Sequence, residues 1–129
     1  MNIPIFKAKK LDSDEYIIGY LEEHNTNDFY ISLMPNEIDS YKIDTSTLSI
    51  NFSDMVDSNG NKIFASLQEF GKGGDVVTDG EYDFVVIFNG RSFDLMFVED
   101  NTFAKFNEWD DWNKFTKKEM QKLTKKETT

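Results

Sequence analysis

The clearest alternation of apolar and polar residues spans residues 81–98, where two runs rich in Phe and Val are joined at Asn89-Gly90. A period of two is typical of β-strands, and Asn-Gly is a preferred two-residue hairpin turn. The pattern therefore predicts a hairpin that places Phe88 opposite Arg91. Because both faces of these strands carry apolar side chains, we expect them to be partly buried on both sides, as in a small closed barrel.

Shorter alternating segments earlier in the chain predict further strands separated by turn-forming residues. These segments are residues 5–10, 16–22, 29–34, 41–43 and 48–52. Asp57-Ser-Asn-Gly60 then predicts a tight turn, because Asn59 and Gly60 tolerate the positive φ angles that two-residue turns require. Together these features indicate a mainly β fold.

A helix is expected at the C-terminal end. Thr116-Lys-Lys-Glu119 matches a capping box, in which the Thr and Glu side chains satisfy free backbone amides at a helix start. Met120 and Leu123 give the segment a narrow apolar stripe. The sequence therefore predicts a short basic helix or tail within residues 108–129.

The composition favours one compact unit. The chain has 129 residues with 12 Phe, 5 Tyr and 2 Trp, which is enough for a sizeable core. The absence of Cys excludes disulfides, thiol catalysis and cysteine-containing zinc sites. The first residues lack the pattern of a signal peptide, and no segment approaches the length of a membrane span. We therefore expect a cytoplasmic protein that does not associate with membranes.

Charge is unevenly distributed along the chain. Residues 1–113 hold 8 Lys and Arg against 22 Asp and Glu, a net charge of −14, whereas residues 114–129 hold 6 Lys against 2 Glu. Direct binding to nucleic acid normally needs a basic face, so this class of ligand is disfavoured. The acidic surplus serves solubility in most proteins, and in a few proteins it mimics the charge of DNA.

Several motifs occur in a distinctive order. They are Lys7-Ala-Lys9, Ile17-Ile-Gly-Tyr20, Ile43-Asp-Thr-Ser-Thr47, Asp57-Ser-Asn-Gly-Asn-Lys-Ile-Phe64 and Val86-Ile-Phe-Asn-Gly90. In this order they resemble the YopX family of phage and prophage proteins, over most of residues 1–107. Family members carry Gly-Asp-Ile-Val soon after the Asp-x-Asn-Gly turn. Here the element is Gly74-Asp-Val-Val77, so residues 65–73 are either an insertion or the mark of a variant branch.

The resemblance implies a fold and a division of the chain. It implies a β-rich N-terminal part, residues 1–52, packed with a small barrel of the Src-homology type, residues 53–107, that contains the Asn89-Gly90 hairpin. Residues 108–129 then complete the unit with an aromatic-acidic segment and the basic helix or tail. The resemblance implies no enzymatic activity.

Residue sets that would indicate catalysis or a cofactor are incomplete. Gly71-Lys-Gly-Gly-Asp75 lacks the spacing of a phosphate loop and is flanked by predicted strands, so a flexible loop is the better interpretation. Asp57-Ser-Asn-Gly-Asn61 begins like a calcium loop, but its Gly is misplaced and Gln68 stands where a bidentate Glu belongs. His24, the single histidine, lies in a polar spacer. We therefore predict no enzyme, no cofactor and no metal site.

One segment near the C-terminus combines aromatic and acidic residues. Trp109, Trp112 and Phe115 recur every three residues, and Asp110 and Asp111 lie between the two tryptophans. A patch formed by the two tryptophans and the two aspartates is a candidate partner contact, since Trp combines a large contact area with a polar N–H group. Alternatively, the aromatic residues pack the C-terminal segment onto the body of the protein.

Two classes of function remain. The first is a non-enzymatic interaction protein of a phage or prophage that binds a protein partner, or assembles as a homo-oligomer, in the cytoplasm of the bacterial host. The alternative is an acidic DNA mimic that inhibits a host defence or DNA-processing protein. A mimic needs its carboxylates arrayed on one face, whereas an interaction module scatters them.

Overall fold

The structure is a computed structural model and describes residues 4–25, 28–33, 40–52, 55–106 and 111–118. Strands dominate this part of the chain, and its one helix is a 3₁₀ turn at Trp112–Lys114. The strands are β1 (Ile5–Lys10), β2 (Tyr16–Asn25), β3 (Asp28–Ser32), β4 (Ser40–Asn51), β5 (Ala65–Ser66), β6 (Val76–Thr78), β7 (Asp83–Phe88), β8 (Phe93–Phe97), β9 (Phe103–Lys105) and β10 (Thr116–Lys117). The predicted mainly β fold is confirmed.

The first four strands close a small barrel. β1 pairs with β2, β2 with β3, β3 with β4, and β4 returns to β1, and every pair is antiparallel. The register between β1 and β4 shifts between Lys7 and Lys9, and such a bulge adds the twist that a closed sheet needs. The interior is filled by buried apolar side chains, namely Ala8, Ile17, Ile31 and Ile43.

The barrel lies in a different part of the chain from the one we expected. The ring of strands closes within the N-terminal part rather than within residues 53–107. In the second half, the described strands continue the sheet from β4 through β5, β7 and β6 to β10, with β8 and β9 on the other side of β7. An alternating pattern shows which faces are apolar, but it does not show which distant strands pair, and the contact that closes the ring is a distant one.

The predicted hairpin forms from β7 and β8, but its register is shifted by two residues. Phe88 pairs with Phe93 rather than with Arg91, so the loop has four residues. The side-chain oxygen of Asn89 accepts hydrogen bonds from the N–H groups of Arg91 at 2.9 Å and Ser92 at 3.0 Å. Asn89 does not adopt the positive φ that a two-residue turn requires. A shift of two residues leaves every side chain on its predicted face.

A second hydrophobic core covers one face of β6, β7 and β8. It consists of Met55, Ile63, Ala65, Val77, Phe84, Val86, Leu95, Trp112 and Phe115. Aromatic contacts dominate it, with Phe93 edge-on to Trp112 at 5.2 Å and Phe106 stacked on Trp112 at 3.9 Å. On the opposite face Ile87 and Met96 are also buried, so apolar residues of these strands are covered on both sides, as the alternation indicated.

The C-terminal segment joins this sheet as a strand. Thr116 pairs with Thr78 and Lys117 pairs with Val77, so Thr116 does not begin a helix as the capping-box motif predicted. The backbone of Thr116 and Lys117 forms hydrogen bonds with β6 instead of the helical hydrogen bonds that the local sequence favoured. Residues 119–129 lie outside the described part of the chain, and a helix there stays a prediction. No helix in the described part is long and apolar enough to span a membrane.

Candidate functional site

The most unusual feature of the interior is a buried carboxylate between two lysines. Asp75, which is 1% exposed, lies immediately before β6 and forms ion pairs with Lys7 of β1 and, at 3.1 Å, with Lys117 of β10. The same carboxylate accepts a hydrogen bond from the backbone N–H of Phe64 at 2.8 Å. We call these four residues the Asp75 cluster. The several donors are needed because a buried carboxylate has lost its hydration.

Lys7 is enclosed by aromatic rings as well as by its acidic partner. Its Nζ lies 5.3 Å from the ring centre of Phe64 and 5.6 Å from that of Tyr16, distances at which a ring face attracts a cation. Burial lowers the pKa of Lys7, while Asp75 acts to raise it and Lys117 lowers it further. Because its side chain is only 1% exposed, Lys7 holds strands together and offers no access to a dissolved substrate.

A second buried carboxylate, that of Asp57, fastens β10. One oxygen accepts from the N–H groups of Asn59 at 2.9 Å and Asn61 at 2.8 Å, and the other accepts from the N–H of Lys117 at 2.9 Å. Burial acts to raise the pKa of Asp57, but these donors outweigh it and the net pKa is lowered. Lys117 Nζ also donates to the carbonyl of Lys62 at 2.9 Å. Lys117 is thus held by both its backbone and its side chain.

The glycine-rich loop of residues 71–75 brings Asp75 into the interior. Gly73 has φ +83°, and a Cβ at this position would stand 2.0 Å from the carbonyl oxygen of Thr47. Ser66 Oγ donates to the carbonyl of Lys72 at 2.7 Å and closes the loop. The segment that we interpreted as a flexible loop is therefore packed against β4, and its glycines allow that close approach.

Both predicted turns form, with a different internal geometry. The carbonyl of Asp57 accepts from the N–H of Gly60 at 3.0 Å, and Gly60 has φ +81° while Asn59 has no positive φ. In the β7–β8 hairpin Gly90 likewise has φ +95° and Asn89 does not. In each turn the Asp or Asn at its start bonds the following N–H groups with its own side chain, so one glycine is sufficient.

The residues predicted to bind a partner have different surroundings. Trp112 is 8% exposed and stacks on Phe106 in the second core, so for this ring the packing alternative holds. Asp111 is exposed and caps the 3₁₀ turn by accepting a backbone N–H at 3.2 Å. Trp109 and Asp110 lie outside the described residues. A partner contact through Asp111 stays a prediction.

Large exposed apolar side chains lie elsewhere on the surface. Phe70, Leu11 and Phe103 are 71%, 55% and 53% exposed. A shallow groove of about 220 Å³ opens beside the turns that precede β7 and follow β8, lined by Glu81, Tyr82, Asp83, Phe97, Val98 and Glu99. Sequence reasoning did not single out these residues, because alternation does not reveal which apolar positions a fold leaves uncovered.

The described ranges contain no group of three or more His, Asp or Glu residues that could hold a metal ion. His24 lies at the exposed end of β2, with its ring stacked on Tyr30 at 4.1 Å. Comparisons with protein-family models, with curated proteins and with solved structures find no match. A functional interpretation therefore depends on the sequence motifs and on this geometry.

Proposed function

We propose that this chain is a non-enzymatic interaction protein of a phage or prophage, similar to the YopX family, which acts in the bacterial cytoplasm by binding a protein partner. The observation that carries the proposal is a contrast between interior and surface. The buried charges of Asp75 and Lys7 are used to hold strands together, whereas Phe70, Leu11 and Phe103 remain more than half exposed. Large exposed aromatic and aliphatic side chains are candidates for the anchor residues of a binding interface.

The sequence motifs that resemble the YopX family support the same interpretation, because several of their residues lie together in the structure. Lys7 and Asp75 come from two of these motifs, and they meet in the Asp75 cluster. The Asp57 motif supplies the turn that fastens Lys117. A structural role for these residues therefore accounts for the motifs, and no catalytic role is needed to explain them.

A DNA mimic is a second candidate, and one observation favours it. Asp79 and Glu81 are exposed in the turn before β7, Glu99 and Asp100 in the turn after β8, and these turns are neighbours. Hydrogen bonds from the N–H groups of Tyr82 and Glu81 lower the pKa of Asp79, which keeps it charged. A mimic would use this acidic end as its array of phosphate-like charges.

Affinity capture from infected or lysogenic cells, followed by reconstitution with the purified partner, tests both candidates. For an interaction module we expect saturation at a fixed molar ratio and complexes that survive moderate salt. A mimic would lose most of its affinity as salt is raised, because its contacts are ionic. Turnover by a small amount of the protein, abolished by one carboxylate substitution, would overturn the non-enzymatic proposal.

A further inference from the structure

We propose that the outer edge of β9 is the docking site for an extended segment of a protein partner, with alternating apolar and basic residues, which adds to the sheet as a further strand. This inference rests on the proposed interaction function and names its surface and ligand chemistry. Addition of a strand to an open sheet edge is a recurring mode of peptide recognition, in which main-chain hydrogen bonds give affinity and side-chain contacts give specificity.

An apolar row leads across the sheet to this edge. Val76 pairs with Val85, Val85 with Met96, and Met96 with Phe103, so the four side chains lie on one face, opposite the aromatic core. The row is well covered at Met96, and it ends at Phe103, which is 53% exposed. A further strand beside β9 would place its own apolar residue next to Phe103 and continue the row.

The two ends of the sheet differ in how their edges are covered. The outer side of β10 faces the Asp57 turn, since Asp57 accepts the N–H of Lys117 and the N–H of Ser58 donates to the carbonyl of Phe115 at 2.9 Å. Within the described residues, β9 pairs only with β8. An uncovered edge presents backbone donors and acceptors to an incoming strand. Among the described strands, the β9 edge is therefore the one available for pairing.

The charge of the surface beside β9 indicates which kind of partner segment would bind there. The turn that leads into β9 carries two exposed carboxylates, those of Glu99 and Asp100, and Glu99 also lines the groove together with Glu81. The whole chain carries a net charge of −10, so a second copy of it and a nucleic acid are both disfavoured. Lysine or arginine side chains of a partner strand would be attracted to this acidic rim.

The test uses a short synthetic peptide of alternating valine and lysine, titrated into the folded chain and followed by amide chemical shifts in NMR spectra. We expect shifts concentrated in residues 93–106. Three control peptides separate the contributions: glutamate in place of lysine, serine in place of valine, and N-methylation of the alternate amides that would pair with the edge. Each should abolish binding, because each removes one of charge, apolar contact or main-chain hydrogen bonding.

Two matched substitutions locate the surface. Phe103→Ser should weaken peptide binding about tenfold or more, as for an exposed anchor residue. Leu11→Ser, at an equally exposed apolar position on the N-terminal barrel, should leave binding unchanged. Urea midpoints that match the parent show that both variants are folded. Equal weakening by both variants, or shifts spread over acidic residues of the whole chain, would overturn the inference in favour of diffuse ionic association.

Other occupants give different outcomes. A dimer in light scattering that Phe103→Ser disrupts, and with which the peptide competes, would show that the edge pairs with a second copy and would overturn the proposal of a basic partner. A captured partner that binds the parent and Phe103→Ser equally would leave the interaction function standing and remove this docking site. Peptide binding at β9 without any partner from host cells would support the docking site and count against the cellular function.

Discussion

Replacement of Asp75 by alanine should be among the most damaging single changes in the chain. The substitution removes the acidic partner of Lys7 and Lys117 and leaves the N–H of Phe64 without the carboxylate. Breaking a buried ion pair by removing one member costs about 3–5 kcal/mol, because the remaining charge is buried without compensation. A domain of this size is stable by roughly 5–15 kcal/mol, so Asp75→Ala should lose a large share of the unfolding free energy.

Replacement of Lys7 by methionine should lower the free energy of unfolding by less than Asp75→Ala does. The methionine keeps an apolar chain against Phe64 and Tyr16, and Asp75 retains Lys117 and the Phe64 N–H. We expect a loss of about 1–3 kcal/mol, the cost of a carboxylate that has lost one of several donors. In a double-mutant cycle of Lys7→Met with Asp75→Asn, the coupling energy should be about 0.5–3 kcal/mol.

Urea unfolding measures these changes through tryptophan fluorescence, since Trp112 is buried in the second core. The slope of free energy against urea should stay constant, so that a change in midpoint reports stability. An Asp75→Ala midpoint equal to that of the parent would refute the reasoning. A loss from Lys7→Met as large as that from Asp75→Ala would show that the Lys117 contact does not support the carboxylate.

Three further predictions address the turn, its carboxylate and the aromatic core. Gly60→Val should lose about 1–2 kcal/mol from backbone strain at φ +81°, while Gly60→Asn should lose less, and equal urea midpoints would contradict this. The folded-state pKa of Asp57 is lowered from 3.8, so the contribution of its carboxylate to stability is present above pH 3.8 and is lost as the pH falls through the folded pKa. Asp57→Asn should therefore flatten the acid side of the plot of unfolding free energy against pH. An unchanged plot would contradict this prediction. Trp112→Ala should cost about 3–5 kcal/mol in urea unfolding, whereas an exposed partner-binding tryptophan would cost little.

Local patterns predicted the features that depend on neighbouring residues. The β7–β8 hairpin, its two apolar faces and the Asp57 turn all follow from alternation and from turn residues. The predicted register of the hairpin was wrong because the Asn89 side chain accepts hydrogen bonds from the backbone N–H groups of Arg91 and Ser92, which favours a four-residue loop over a two-residue turn. These hydrogen bonds depend on side-chain rotation, which the residue pattern does not specify.

The Asp75 cluster could not be predicted in the same way. Its charged members come from β1, from a glycine-rich loop and from β10, and they meet only after the strands have paired. A lysine in an alternating strand and an aspartate after glycines look like ordinary surface residues in the sequence. The closing contact between β1 and β4 was missed for the same reason, since distant pairing leaves no local signal.

Among the described strands, β10 and β9 form the two ends of the sheet, and their outer edges have different surroundings. A sheet that ends in short strands exposes backbone groups at both sides, and proteins cover such edges or guard them with charge. At β10 the Asp57 turn covers the edge and Lys117 is fastened by two carboxylates. At β9, exposed Glu99 lies in the turn that precedes the strand, and in our proposal its charge disfavours a second copy of the chain and favours a basic strand. If the proposed docking site is correct, acidic side chains beside an apolar edge disfavour pairing with other acidic chains and favour a basic partner strand.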